Sequence, residues 1–211
     1  HLPREVRLHL FGQTHFEVDM VAAHLQLYVY AATGSLTWHD LTMAQLRRKL
    51  QLELGHRNAS ANPELTVKQI FHYFLNGTPH DLRSFLQQAF FFIPPYLMDF
   101  FRQMNSLWPT VLRFLAAHEF RPEHCEARNI RYFALEFLEQ KYVLGILNHL
   151  CSHGSFQSII YLFDGFWIYP QPSDIQLTKA CEHVMRELGI PYFPLKCTCL
   201  NGQYDILRAS V

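Results

Sequence analysis

The sequence predicts an α+β protein in which strands from both chain ends pair into one antiparallel sheet around a large central helical insertion. Apolar and polar residues alternate near the N-terminus, short apolar segments flank Asp-Gly and Asn-Gly turn signals near the C-terminus, and apolar residues recur at three- and four-residue spacing through the middle. The 211 residues are 49% hydrophobic and 17% charged, which supports a folded core and excludes a disordered chain. We expect one domain from residues 1–40 and 120–211, and a helical insertion from residues 41–119.

The individual elements follow from the hydrophobic period and from turn residues. Gly77 and Gly189 suit helix C-termini, and Asp164-Gly165 and Asn201-Gly202 are hairpin signals. The expected elements are strands at 6–11 and 15–20, helices at 21–32, 41–54, 65–77 and 81–92, a long helix at 94–120 that kinks before Pro109, an amphipathic helix at 123–152, strands on either side of 164–165, a helix at 173–187, and a last hairpin of strands at 192–200 and 203–209.

Charge, cysteine content and hydropathy exclude several classes of protein. With 18 basic and 18 acidic side chains there is no overall positive field, so any nucleic-acid binding must be local. Five cysteines, an odd number, indicate an intracellular, reducing compartment. The longest apolar run, 89–98, is interrupted by prolines and is too short to span a bilayer. The start of the sequence has no targeting signal, and the thirteen histidines are expected to be scattered surface or half-buried side chains.

Two aspartates occupy comparable positions in the predicted sheet. Asp19 ends a strand and precedes a helix, and Asp164 lies at the tip of a hairpin. If both strands join one sheet, the two carboxylates could lie at its edge and share divalent ions. Hard oxygen ligands on rigid strands are what two-metal phosphoryl transfer requires. The alternative for Asp164 is a plain Asp-Gly turn.

The order of these aspartates with Lys68 between them resembles motifs A, B and C of the single-subunit nucleic-acid polymerases, the A-family DNA polymerases and their RNA polymerase relatives. The segments that carry the resemblance are HFEVDMVAAHLQL, VKQIFHYFLNG and YLFDGFWI, and the resemblance as a whole extends over about residues 7–208. In that family, motif A is a strand that ends in a metal-binding Asp, motif B is a helix whose Lys faces the incoming triphosphate, and motif C is a hairpin with the second metal-binding Asp.

The resemblance implies a palm-like sheet with a fingers-like insertion and a template-directed nucleotidyltransferase that extends a primer 3′-hydroxyl. It implies a DNA polymerase-like enzyme, with RNA synthesis also possible, that uses two Mg²⁺ or Mn²⁺ ions. The partners would be primer-template nucleic acid and nucleoside triphosphates, with no membrane. The implied metal ligands are Asp19 and Asp164, the implied catalytic cation is Lys68, and the implied nucleotide-binding residues are Lys68, His24, His72, Asn76 and Gly77.

Further residues are candidates for contact with the primer-template. Arg47, Arg48, Lys49 and Arg57 could bind phosphates, although a solvated helix face explains them equally well. Glu139 and Gln140, on the helix before motif C, are candidates for the same role, and a surface helix is again the alternative.

Several positions depart from the family pattern. Glu64 replaces an Arg four residues before the motif B Lys, Asn76 replaces an aromatic residue, and Phe163 replaces a His before the motif C Asp. The thumb of the family precedes motif A, where this sequence has 18 residues. The expectation is either a fragment, with further domains or subunits that supply the thumb, or a minimal polymerase. The alternatives are a catalytically inactive palm-fold module that binds nucleic acid or a replisome, and an unrelated α+β scaffold with the two carboxylates far apart.

Overall fold

The structure, a computed structural model, describes Val6, Leu10 and residues 14–20, 23–56, 62–121, 123, 130–162, 165–190, 195–199 and 204–205. The elements are, in chain order, β1 (Phe16–Met20), α1 (Ala23–Thr33), β2 (Thr37–Trp38), β3 (Leu41–Thr42), α2 (Met43–His56), α3 (Pro63–Asn76), α4 (Pro79–Ala89), α5 (Pro95–Ser106), α6 (Trp108–Ala117), α7 (Ile130–His153), β4 (Ser158–Tyr161), β5 (Gly165–Tyr169), α8 (Asp174–Leu188), β6 (Leu195–Cys199) and β7 (Tyr204–Asp205). The predicted α+β class is confirmed.

The chain divides into two compact units. The sheet unit contains residues 1–23 and 139–211, and the helical unit contains residues 24–138. These boundaries differ from the expected ones at residues 40 and 119. The difference at the first boundary follows from α1, whose Tyr28 is fully buried and packs in the helical unit against Phe74 and Trp108, at ring-centroid distances of 5.6 and 5.9 Å.

The sheet unit has an antiparallel sheet in the order β4-β5-β1-β6-β7, so strands from both chain ends pair as predicted. Val18 on the middle strand pairs with Phe166 and Cys197, and each of the three side chains is 1% exposed. Because side chains alternate along a strand, Glu17 and Asp19 lie on the opposite face from this apolar row. The middle strand therefore has one buried face and one face that carries carboxylates.

Two helices of the sheet unit, α8 and the C-terminal part of α7, approach closely at a glycine. A Cβ at Gly145 would lie 2.7 Å from Cγ2 of Val184. The predicted ends of α8 are confirmed. Ser173 and Gln176 form a capping box at its start, and Gly189 follows its last residue in a left-handed conformation, with φ of 59°.

Helix starts in the helical unit are set by capping residues and prolines. The Asn62 side chain accepts a 3.0 Å hydrogen bond from the Leu65 N–H at the start of α3. The helix expected at 94–120 is two helices, because α5 ends at Ser106 and α6 begins at Trp108. Pro109 has no N–H to donate to the preceding turn, so a break rather than a kink occurs there.

Two further expectations differ from the structure. Val6 and Leu10, the described positions of the first expected strand, have helical backbone, and their four-residue spacing fits a helix as well as alternation fits a strand. The short hairpin β2–β3 was not expected. Its turn residues His39 and Asp40 have φ of 46° and 62°, and this left-handed pair suits a two-residue hairpin turn.

Candidate active site

Asp19 lies near the end of the middle strand of the sheet, where the resemblance requires the first metal ligand. Its side chain is half-buried on the carboxylate-bearing face. Glu17, two residues earlier on the same face, accepts a 3.2 Å hydrogen bond from the indole N–H of Trp167 on β5. Pairing with β5 on one side and β6 on the other holds the backbone of Asp19 in place.

The hairpin between β4 and β5 lies beside Asp19. Gly165 pairs directly with Asp19 across the antiparallel strands. The Leu162 N–H donates a 2.9 Å hydrogen bond to the Gly165 carbonyl. The expectation that Gly165 is a turn residue is wrong, because Gly165 is the first residue of β5. Asp164 itself lies outside the described residues.

Gly165 permits a close approach between two backbones. A Cβ at this position would lie 2.3 Å from the carbonyl oxygen of Val18 and 3.4 Å from Cα of Asp19. Two atoms that are not bonded cannot pack 2.3 Å apart. A side chain at Gly165 would therefore push β5 away from β1. The missing Cβ thus sets the distance between the strand of Asp19 and the hairpin.

The predicted nucleotide-binding residues of motif B lie along α3. Lys68 and His72 are exposed and one turn apart, and Asn76 follows one turn later. The Asn76 side-chain amide is 3.1 Å from Nδ1 of His72, while its Oδ1 is buried with no hydrogen-bond partner among the described residues. The opposite side of α3 is anchored by buried side chains that include Ile70 and Phe74. Lys68, His72 and Asn76 therefore form a polar stripe on a fixed helix.

Gly77 ends α3 as predicted, but in an extended conformation with φ of −91°. Its N–H donates a 2.9 Å hydrogen bond to the Tyr73 carbonyl. A Cβ at Gly77 would lie 2.7 Å from that carbonyl oxygen, so glycine is favoured here by the close approach of the helix end.

The candidate phosphate contacts on α2 do not share one direction. Arg47, Arg48 and Lys49 are consecutive, and successive residues of a helix point about 100° apart. Lys49 makes a cation–π contact with Tyr96, because its Nζ lies 3.9 Å from the ring centroid. The Tyr96 hydroxyl donates a 3.0 Å hydrogen bond to Glu53. Arg48 is exposed and Arg47 is half-buried. Arg57 lies outside the described residues.

The other predicted residues are placed as follows. His24, in the first turn of α1, contacts the ring of Tyr132 edge-on at 5.9 Å within the helical unit. Glu139 on α7 is 7% exposed, and Gln140 beside it is half-buried. The burial of Glu139 shows that the surface-helix explanation is wrong for this residue. A buried glutamate is also a poor candidate for direct contact with a nucleic-acid backbone.

The sequence analysis missed a group of three histidines in the sheet unit. His149 and His153 are one turn apart on α7, with ring centroids 4.2 Å apart, and His183 on α8 lies 4.8 Å from His149. Burial, helped by the charges of His153, His183, Arg186 and Lys179, holds the pKa of His149 below its usual value. The four-residue spacing of His149 and His153 is visible in the sequence, whereas the approach of His183 is not.

In the described part of the chain, no three His, Cys, Asp or Glu side chains are grouped so as to hold a metal ion. No helix within the described ranges combines the length and apolar character needed to cross a membrane. Comparison with protein families, curated proteins and solved structures finds no match to this chain.

Proposed function

We propose that this protein is a template-directed nucleotidyltransferase that joins nucleotides to a primer 3′-hydroxyl. The observation that carries the proposal is the pairing of Asp19 with Gly165, which brings the motif A strand and the motif C hairpin side by side. Asp164 is bonded to Gly165, and consecutive Cα atoms are about 3.8 Å apart. The residue that pairs with Asp19 is therefore the sequence neighbour of Asp164, although Asp19 and Asp164 are 145 positions apart in the sequence.

The donor set suits Mg²⁺ or Mn²⁺. Carboxylate oxygens are the hard ligands that these ions take, and Asp19 is half-buried on a paired strand, with a rigid backbone and some access to solvent. When bound, two such ions would activate the primer hydroxyl and offset the charge on the phosphoryl group. Asp19 and Asp164 are the residues that would hold them.

Lys68 is assigned to the triphosphate. Its side chain is exposed on a helix whose other side is buried, so the ammonium group can reach a phosphate while its Cα stays fixed. Phosphoryl transfer needs little covalent chemistry from the protein beyond positioning and charge stabilisation. His72 and Asn76, on the same stripe, would border the nucleotide.

Primer extension tests the proposal. The full chain is mixed with a primed template, nucleoside triphosphates and Mg²⁺, and Asp19→Asn and Asp164→Asn are compared with wild type. Each variant should lose more than about 100-fold in rate, which exceeds the effect of losing an outer partner of a metal ligand. Asp40→Asn is the matched control, because Asp40 is an exposed turn residue with φ of 62°, a conformation that Asn tolerates.

The outcomes distinguish the nucleotidyltransferase from the catalytically inactive palm-fold binding module. Near-normal extension by either motif variant would contradict the two-metal assignment. Binding of primer-template by the wild type without any extension, in Mg²⁺ and in Mn²⁺, would replace the proposal with the inactive palm-fold binding module.

A further inference from the structure

The helical unit contains a cavity of about 490 Å³ at the C-terminal end of α3. Cavities of this size hold small-molecule ligands. Its lining includes the aromatic side chains of Tyr73 and Trp108, the helix-ending Gly77, and the polar side chains of Asn105 and Arg131. The described lining residues include no Asp or Glu, so Arg131 provides the charge of this wall.

Arg131 is held in position without a carboxylate. Its Nη2 donates a 2.8 Å hydrogen bond to Asn105 Oδ1, and its Nη1 donates at 3.3 Å to the Phe74 carbonyl. Its Cζ lies 5.1 Å from the ring centroid of Trp108 and 5.7 Å from that of Tyr28, distances at which aromatic rings stabilise a cation. Within the described part of the chain, Arg131 makes no ion pair.

No carboxylate among the described residues that line the cavity compensates the charge of Arg131. Burial raises the pKa of Tyr28 to about 12, with Arg131 opposing the rise, so Tyr28 remains a neutral phenol that donates to the Met104 carbonyl at 2.9 Å. Asp81 lies one turn after Thr78, but its carboxylate accepts from the N–H and hydroxyl of Thr78 in the capping box of α4. A guanidinium has five N–H donors, and the two hydrogen bonds above leave others for a ligand.

We propose that this cavity is a binding site for a nucleoside monophosphate. A planar base matches the aromatic walls, since a base stacked on an aromatic side chain is favourable by about 1–3 kcal/mol. The phosphate matches the Arg131 guanidinium, which forms charge-assisted hydrogen bonds to phosphate oxygens. This site goes beyond the proposed catalysis, because it requires neither divalent metal nor primer-template.

Isothermal titration of the full chain with AMP, CMP, GMP and UMP tests the proposal, in EDTA and without nucleic acid. At least one monophosphate should bind saturably and more tightly than its nucleoside and than inorganic phosphate. Arg131→Gln should weaken binding by about tenfold or more. Arg113→Gln is the matched control, because Arg113 on α6 is exposed and bonds to the Thr110 hydroxyl outside the cavity lining. Lys68→Ala should also leave this affinity unchanged.

A second variant keeps the test decisive if Arg131→Gln destabilises the helical unit. Leu112 lines the cavity, and Leu112→Trp should place an indole ring in the space for the ligand and strongly weaken binding while Arg131 remains. Thermal unfolding confirms that the variants are folded. Absence of saturable binding, or equal affinity in wild type and Leu112→Trp, would overturn the proposal. Equal affinity for phosphate and for the monophosphates would overturn its nucleotide assignment, and loss of binding in Lys68→Ala would move the ligand to the α3 stripe. None of these results depends on whether the protein extends primers.

Discussion

At the scale of single residues, Gly165 has a different role from the one its sequence context indicates. An Asp-Gly pair between apolar strands is a turn signal, and the natural expectation is that glycine serves the turn. Gly165 instead lies within β5, with the space for a Cβ filled by the Val18 carbonyl oxygen at 2.3 Å. The sequence cannot reveal this, because the atom that excludes a side chain comes from a strand about 145 residues away.

Gly165→Ala should therefore destabilise the sheet unit and remove primer extension. Forcing a methyl group into a packed site costs about 1–3 kcal/mol, and a backbone carbonyl cannot rotate away as a side chain would. Urea unfolding gives the free energy, and extension by the fraction that remains folded gives the activity.

Gly55→Ala is the control for this substitution. Gly55 is an exposed residue of α2, and a Cβ there would make an ordinary 3.9 Å contact with Pro63. Gly55→Ala should raise the free energy of unfolding by about 0.4–1 kcal/mol. An Ala at Gly165 that matched this control in stability and kept full activity would show that the close approach is not needed.

At the scale of elements, α3 combines a buried side with a polar stripe, and Lys68 is the cation on that stripe. We expect Lys68→Ala to weaken nucleotide use by about 10- to 100-fold, because a charge-assisted hydrogen bond is worth about 1.5–3 kcal/mol. Binding of the primer-template should change little. Single-turnover extension across nucleotide concentrations measures the first effect, and a filter-binding titration measures the second.

Lys179→Ala provides a matched lysine, since Lys179 is exposed on α8. Reduced affinity for primer-template with unchanged nucleotide dependence would assign Lys68 to the nucleic-acid path instead.

The histidines of α7 and α8 give the sheet unit a pH dependence. The pKa of His149 is lower in the folded protein than its usual value near 6.5. As pH falls, the unfolded chain therefore binds a proton at His149 before the folded protein does. The effect of His149 on the free energy of unfolding is therefore fully stabilising at a pH above its usual pKa, and this stabilisation is lost as the pH falls below that value. Urea midpoints should decline from pH 7.5 to pH 5.5, and His149→Gln should reduce the decline.

The exposed His80, in the first turn of α4 and outside this group, is the control. His80→Gln should keep the full pH dependence of the wild type. If His149→Gln and wild type lose the same stability over this range, the contact between the three rings has no effect on titration.

At the scale of the whole molecule, the sequence predicted the class of fold better than the contacts between elements. Alternation predicted β1, because a half-buried strand needs one apolar face, and apolar segments beside turn signals predicted β5 and β6, so that the antiparallel pairing of the three strands was expected. Capping residues such as Ser173 predicted helix starts, because those hydrogen bonds are local.

Side-chain contacts between separate elements could not be predicted from these local sequence patterns. The contact of the Lys49 ammonium group with Tyr96, which lies on another helix, was not predicted. The third histidine of the α7–α8 group and the aromatic cage around Arg131 are also products of packing. The candidate site was partly predictable, since the strand pattern around Asp19 and the hairpin signal of motif C are local, and the expectation of one sheet from both chain ends brought them together.

The central claim is that the end of β1 and the β4–β5 hairpin hold the same divalent ions. Iron-mediated cleavage tests it most directly: Fe²⁺ replaces Mg²⁺ on the full chain with primer-template and nucleotide bound, and hydroxyl radicals produced with ascorbate and peroxide cut the backbone near the ion. Cuts are expected near Asp19 and between Leu162 and Gly165, both suppressed by excess Mg²⁺ and both lost in Asp19→Asn. Cleavage at only one of these segments, or at neither, would contradict the central claim.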